Sequence, residues 1–173
     1  MEGPAKKLDR ALLESVYVRL EKPIYNVVYR WLWNREDASD VVQEAFVRLW
    51  KMRRRVDLSS VDALVYRIAL NLAASRRRSG KRWRWASLSA LKLAPSAAPS
   101  VETQAVREEE ASRVRRAVES LPEGLRRVIT LCELAELSYE EVGGVLGIPA
   151  GTVGSRRHRA LRLLRERLGG DSG

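Results

Sequence analysis

Apolar residues recur along this chain at helical spacing, and no run of five residues sustains the alternation of a strand. Leu12, Leu13, Val16, Tyr17 and Leu20 form one stripe. Pro23 suits a first helical turn, so a second helix is expected from there, carrying Ile24, Val27, Val28, Trp31 and Leu32. Residues 34–37 interrupt the period. A third helix over 38–52 buries Val42, Ala45, Phe46, Leu49 and Trp50, and Asp37 is placed to cap it. Residues 56–60 are rich in turn formers and read as a connector. A fourth helix over 61–78 buries Leu64, Val65, Ile68, Ala69 and Leu72.

Residues 80–100 break this grammar. They open with Lys81-Arg82-Trp83-Arg84-Trp85 and end in Ser, Ala, Pro95 and Pro99, the composition of an extended, weakly ordered linker. Helical period returns from Val101 with Val114, Ala117, Val118 and Leu121. Pro122 then opens a helix carrying Leu125, Val128, Ile129 and Cys132. After it comes the sharpest local signal. Ser138 and Glu141 have capping-box spacing, Val142, Val145 and Leu146 share a face, Gly147 offers a left-handed stop, and Pro149 forbids continuation. A last helix from Ala150 turns Val153, Ala160, Leu161, Leu164 and Leu168 inward. The expected fold class is all-α: two small helical domains, 1–80 and 101–170, joined by a flexible basic linker, 81–100.

Charge sharpens the picture. The chain has 173 residues and a net charge of +10, but residues 51–100 alone carry 12 basic against 2 acidic side chains. Phosphate neutralisation is the default use of such a block, although anionic lipid or an acidic protein would also answer to it. Residues 1–20 lack the apolar core of a signal peptide, and no span approaches the ~20 apolar residues of a membrane helix, so a cytoplasmic protein without membrane insertion is expected. One cysteine and one histidine assemble neither a disulfide framework nor a metal cluster, so no metal, no cofactor and no catalytic residues are expected.

Three polar surfaces remain. Asp37, Asp40, Gln43 and Glu44, beside Arg48, lie opposite the apolar stripe of the third helix. Acids near a helix start are explained equally by the helix dipole and by a protein partner with basic side chains. Arg67, Asn71 and Ser75 form a ridge on the fourth helix, followed by Arg76, Arg77 and Arg78. Arg53, Arg54 and Arg55 precede the connector with its Asp57 and Ser59. A basic surface beside an irregular loop suits single-stranded nucleic acid; a solvated charged face is the plainer reading. Trp83 and Trp85 serve equally for stacking on bases or for anchoring the linker. On the last helix Thr152, Ser155, Arg156 and Arg159 share a ridge, with Arg157 and His158 alongside. Hydroxyls and guanidinium forks near a helix start suit base edges and phosphates in a major groove.

Two segments match a family. DASDVVQEAFVRLW at 37–50, followed by VYRIALNLAASRRR at 65–78, resembles the second region of bacterial sigma-seventy-type factors. LPEGLRRVITLCELAELSYEEVGGVLGIPAGTVGSRRHRALRLLRERL at 121–168 resembles their fourth region. The short chain, without long first or third regions, is similar to the extracytoplasmic-function, or group IV, sigma factors.

The resemblance implies a cytoplasmic specificity subunit, not an enzyme. It would be nucleoid-associated when bound, and monomeric in a holoenzyme with core RNA polymerase. Asp37, Asp40, Gln43, Glu44 and Arg48 would dock on the clamp helices of the largest subunit, with a further contact to the flap. Arg53, Arg54, Arg55, Asp57, Ser59, Arg67, Asn71, Arg76, Arg77 and Arg78 would capture the melted non-template strand of the minus-ten element. Thr152, Ser155, Arg156, Arg157, His158 and Arg159 would read the minus-thirty-five duplex, and an anti-sigma factor is an expected partner. The chain departs from the family where Leu64 replaces a usual Trp and Ser75 a frequent Asp. Gly143, Gly144 and Gly154 lie inside helices, at ~1 kcal/mol each relative to Ala. Arg157, at a usually apolar inward position, is expected to snorkel outward toward a phosphate. Two other classes use less of the chain. An autonomous dimeric helix-turn-helix regulator leaves the acidic face idle, and a single-strand-binding module leaves the last domain idle. A nuclease or other enzyme finds no carboxylate cluster or activated nucleophile.

Overall fold

A computed structural model describes residues 8–87 and 101–169, with side chains over 8–80 and 109–169. The elements are α1 (Arg10–Leu32), α2 (Arg35–Lys51), a 3-10 turn (Leu58–Ser60), α3 (Val61–Ser87), α4 (Val101–Glu119), α5 (Glu123–Leu134), α6 (Tyr139–Leu146) and α7 (Ala150–Gly169). No strand occurs among the described residues.

The α1 helix corrects the expected break at Pro23, which lies inside one continuous helix of 23 residues. A proline there deletes the bond to the Arg19 carbonyl and costs ~3 kcal/mol in an exposed helix. Here Val16, Leu20, Ile24, Val27, Val28 and Trp31 keep one unbroken buried stripe through the proline, so packing holds the register. Trp33 ends the helix in the left-handed region, at φ 54°. Asn34, rather than Asp37, caps α2: its side chain accepts the Asp37 N–H at 3.0 Å. The helix therefore starts three residues before the expected position, and Asp37 is its third residue. Trp50 is only half-buried, while Ala38 and Val41 are buried in its stead.

The three long helices pack into one bundle around Val28, Leu49, Val65 and Leu70, all essentially inaccessible to water. Arg19 closes its rim with a two-pronged bond to Asp62, at 2.7 and 2.8 Å, linking α1 to the first turn of α3. The backbone of α3 stays helical through Gly80 to Ser87, so the helix runs seven residues into the segment expected to be extended. The readings of Trp83 and Trp85 concern side chains outside those described, as does the rest of the expected linker.

The second half builds its own small core from Leu121, Leu125, Ile129 and Ala160. It does not stand apart from the first. Val128, Leu131, Val142, Val145 and Val153 belong to the same apolar cluster as α1, α2 and α3. The Trp31 indole N–H meets the Thr130 hydroxyl at 3.5 Å in the buried seam. No helix among the described residues is long and apolar enough to cross a membrane.

Candidate nucleic-acid and protein interfaces

The helix-turn-helix is fixed by local chemistry. Ser138 Oγ accepts the Glu141 N–H at 3.2 Å, and the Glu141 carboxylate accepts the Ser138 N–H at 2.8 Å, so two otherwise orphaned donors are satisfied at the start of α6. Gly147 ends α6 at φ 68°, and its N–H together with that of Ile148 converges on the Gly143 carbonyl. The turn then folds back over α6 so closely that a β-carbon on Gly143 would stand 2.7 Å from the Ile148 carbonyl oxygen. Val153 and Ala160 root α7 in the interior, while Ser155, His158 and Arg159 face solvent. Ser155 Oγ donates to the Thr152 carbonyl at 3.1 Å.

Arg157 does not reach outward. Its Nε donates to Glu133 at 2.7 Å and its Nη1 to the Tyr139 hydroxyl at 3.4 Å, which clamps α7 to α5 and to the start of α6. The Glu133 carboxylate and the Tyr139 hydroxyl both favour the charged guanidinium and raise its pKa. Gly154 lies under the Tyr139 ring, where a β-carbon would come within 3.2 Å, so its small size serves packing inside the unit.

The acidic face of α2 carries its own cation. Arg76 Nη1 lies 3.4 Å from Asp37 and 3.5 Å from Asp40, and Nη2 lies 3.7 Å from Glu44. Glu44 also takes Arg48 one turn on, at 2.6 Å. The structure therefore brings Asp37, Asp40, Glu44, Arg48 and Arg76 together, with Gln43 exposed beside them. Arg76 belongs here and not with the α3 ridge. This pairing was not visible in the sequence, because Arg76 lies 32 to 39 residues from its three partners.

The connector is ordered by Asp57, whose carboxylate accepts from the Ser59 N–H at 3.0 Å and the Ser59 hydroxyl at 2.8 Å. Those bonds hold its carboxyl below the ordinary range. Arg53 lies over the Trp50 ring at 4.5 Å and donates to the Trp50 carbonyl, while Arg54 and Arg55 project into solvent.

The α3 ridge is occupied. Arg67 donates to the Gly144 carbonyl at 2.6 Å and the Val145 carbonyl at 2.9 Å, at the C-terminal end of α6. Asn71 accepts from Arg127 at 3.1 Å, and Arg78 pairs with Glu123 at 3.8 Å. A cavity of about 220 Å³ between the two halves is lined by Arg67, Asn71, Arg127 and Arg156. Arg77 stacks on the buried Trp31 at 5.9 Å, joined there by Arg126 at 5.1 Å and Arg127 at 5.7 Å. Arg126 and Arg127 went unremarked in the sequence, because two domains joined by a flexible linker carry no expectation of a seam between them.

Among the described residues no group of His, Cys, Asp and Glu could hold a metal ion. Burial pushes the Cys132 thiol up, away from the reactive thiolate.

Residues 16–84 match the family model described as Sigma-70 region 2, and residues 111–164 match Sigma-70, region 4. The ECF RNA polymerase sigma factor SigW of Bacillus subtilis is 32% identical over 175 residues, covering 94% of this chain and 92% of that protein. The ECF RNA polymerase sigma factor SigE of Mycolicibacterium smegmatis is also 32% identical, over 84% of this chain but only 57% of its own length. The fold resembles that of the sigma factor RpoE from Bartonella quintana, solved in complex with the anti-sigma factor NepR. The TM-score is 0.64 at 21% identity, over 91% of this chain and 97% of that one.

Proposed function

The chain belongs to the ECF RNA polymerase sigma factors, an alternative sigma factor that directs transcription, and on that premise we propose how its surfaces divide the work. The α2 face of Asp37, Asp40, Gln43, Glu44 and Arg48 binds core RNA polymerase, on the clamp helices of the largest subunit. The connector and the α3 ridge hold the melted minus-ten strand, and the exposed ridge of α7 reads the minus-thirty-five element as duplex. The chain acts as a cytoplasmic specificity subunit, not as an enzyme. Residues 1–80 and 101–170 work as two units joined by 81–100.

One observation carries this reading: adjacent helices present faces of opposite sign. The α2 face holds three carboxylates against the guanidiniums of Arg76 and Arg48, a small negative excess that suits a basic protein surface better than a phosphate chain. The arginines of the connector and α3 suit a phosphate chain. A base splayed from the duplex costs a few kcal/mol, which contacts in a pocket would recover. The α7 ridge places Thr152 and Ser155 near the helix start and His158 and Arg159 a turn later, the placement that major-groove reading requires. The relative solved with NepR makes an anti-sigma factor the natural negative partner.

The test is co-purification with core polymerase of the chain carrying Asp40→Lys and Glu44→Lys. Asp40 is exposed and Glu44 half-buried at the surface, neither in the apolar core, so circular dichroism should stay unchanged while binding is lost. Retained binding would remove this face as the main contact.

A further inference from the structure

We propose that a cavity between α1, α3 and α5 is a binding site for a small phosphate-bearing molecule, held by the buried guanidinium of Arg126. The site rests on the geometry and charge of that cavity and not on the sigma-factor reading, although Arg77 and Arg78 on its wall are among the arginines proposed for the melted strand.

The cavity measures about 300 Å³ and is lined by Trp31, Arg77, Arg78, Glu119, Glu123 and Arg126. Arg126 is only 2% exposed. Its Nη2 donates to the backbone carbonyls of Glu119 and Leu121, and its guanidinium lies 5.1 Å from the centre of the Trp31 ring. Carbonyls and an aromatic face satisfy hydrogens but leave the charge without a counter-ion. Nε and Nη1 have no hydrogen-bond partner among the described residues. That condition is uncommon for a buried polar group and costly for a buried charge.

The acids on the cavity wall do not neutralise Arg126. Glu119 is bonded to Arg115 at 3.1 Å, and Glu123 to Arg127 at 2.7 Å and Arg78 at 3.8 Å. Arg77 has no carboxylate partner among the described residues, and its guanidinium lies 5.9 Å from the Trp31 ring centre. The positive side chains around Trp31 therefore outnumber the negative ones. The start of α5 borders the same space, and Pro122 gives it no side-chain cap, so the positive end of a helix dipole adds to the field. Two guanidiniums sharing one small, low-dielectric cavity suit a doubly charged tetrahedral oxyanion better than a singly charged carboxylate. A larger cleft of about 740 Å³ shares Trp31, Arg77 and Glu119 with the cavity. It gives room for the organic part of a phosphate ester, within the size of ordinary ligand sites.

The test is isothermal titration calorimetry of the full chain with inorganic phosphate, adenosine monophosphate and acetate at constant ionic strength. Saturable binding of phosphate or the nucleotide, one per chain, is expected, with acetate at least tenfold weaker. Arg126→Met should lose at least tenfold in affinity. Arg126 also holds two carbonyls, so this variant can fail to fold, and two variants of the wall carry the test without it. Arg77→Gln should weaken binding severalfold, and Glu119→Gln, which removes a competing acid, should strengthen it severalfold. Tighter binding of the nucleotide than of phosphate assigns an ester, the reverse assigns the free anion, and either order supports the site. No saturable binding at millimolar phosphate, acetate binding as tight as phosphate, or affinities unchanged in both wall variants overturns it, the last because it would show diffuse attraction to a basic surface. A labelled random single-stranded oligonucleotide should bind Glu119→Gln about as it binds the parent. A gain equal to that for phosphate would give the cavity to a nucleic-acid backbone and overturn the small-molecule site.

Discussion

The carbonyl oxygen of Ile148 lies 2.7 Å from where Gly143 would carry a β-carbon, five residues earlier in the chain. Glycine there is a condition of the tight turn between α6 and α7. The penalty expected for a helical glycine is therefore reversed at this position, but not at its neighbour.

Gly143→Ala is accordingly expected to destabilise the second half by about 1–3 kcal/mol, the range for forcing backbone shifts in a packed site. Gly144→Ala meets only Ala63 at 4.0 Å and should gain up to ~1 kcal/mol of helix propensity. Urea denaturation of the two variants checks both signs. Equal effects would mean that the turn is looser than described.

Arg157→Ala and Glu133→Ala should form a coupled pair. Their side chains are 34% and 42% exposed, so solvent screening limits the coupling to ~0.2–1 kcal/mol in a double-mutant cycle. Because Arg157 is engaged inside the unit, its loss should leave the salt dependence of DNA binding almost unchanged. A drop of about one in the salt slope would show a phosphate contact instead.

Arg159→Ala on the exposed ridge of α7 should lower transcription from a promoter that depends on its upstream element. The loss is ~1–3 kcal/mol if a bidentate base contact is removed. Comparison with a scrambled upstream element separates base reading from phosphate contact, since an equal loss on both would leave only the latter.

Asp57 should titrate below an ordinary aspartate, because Ser59 hydrogen-bonds its charged form. A carboxyl whose pKa falls on folding stabilises above its unfolded value and loses that contribution as pH drops through the folded one. The connector should therefore keep its conformation through neutral pH and loosen only in acid. An NMR titration checks this, with Ser59→Ala expected to return Asp57 toward its ordinary range.

Most of the fold was legible because its signals are local. The capping box at Ser138, the left-handed Gly147 and the 3.6-residue stripes each act within a few residues. Pro23 misled because a proline is equally at home in a first turn, and only the packing of Leu20 and Ile24 on one core shows that the helix continues. The pairings of Arg76 with Asp37 and Asp40, of Arg157 with Glu133, and of Arg67 with α6 join residues 24 to 78 positions apart. No periodicity reports such partners. The sequence showed which surfaces are charged; it could not show that two of them would be spent on each other.

The central claim, that this chain gives core polymerase its choice of promoter, is tested most directly by in vitro transcription. Purified core enzyme and a genomic promoter library are combined with and without the chain. The expected result is a restricted set of transcripts that appear only when the chain is added and share two upstream elements. A chain that binds a double-stranded operator tightly alone, and leaves the transcripts of core enzyme unchanged, would contradict it.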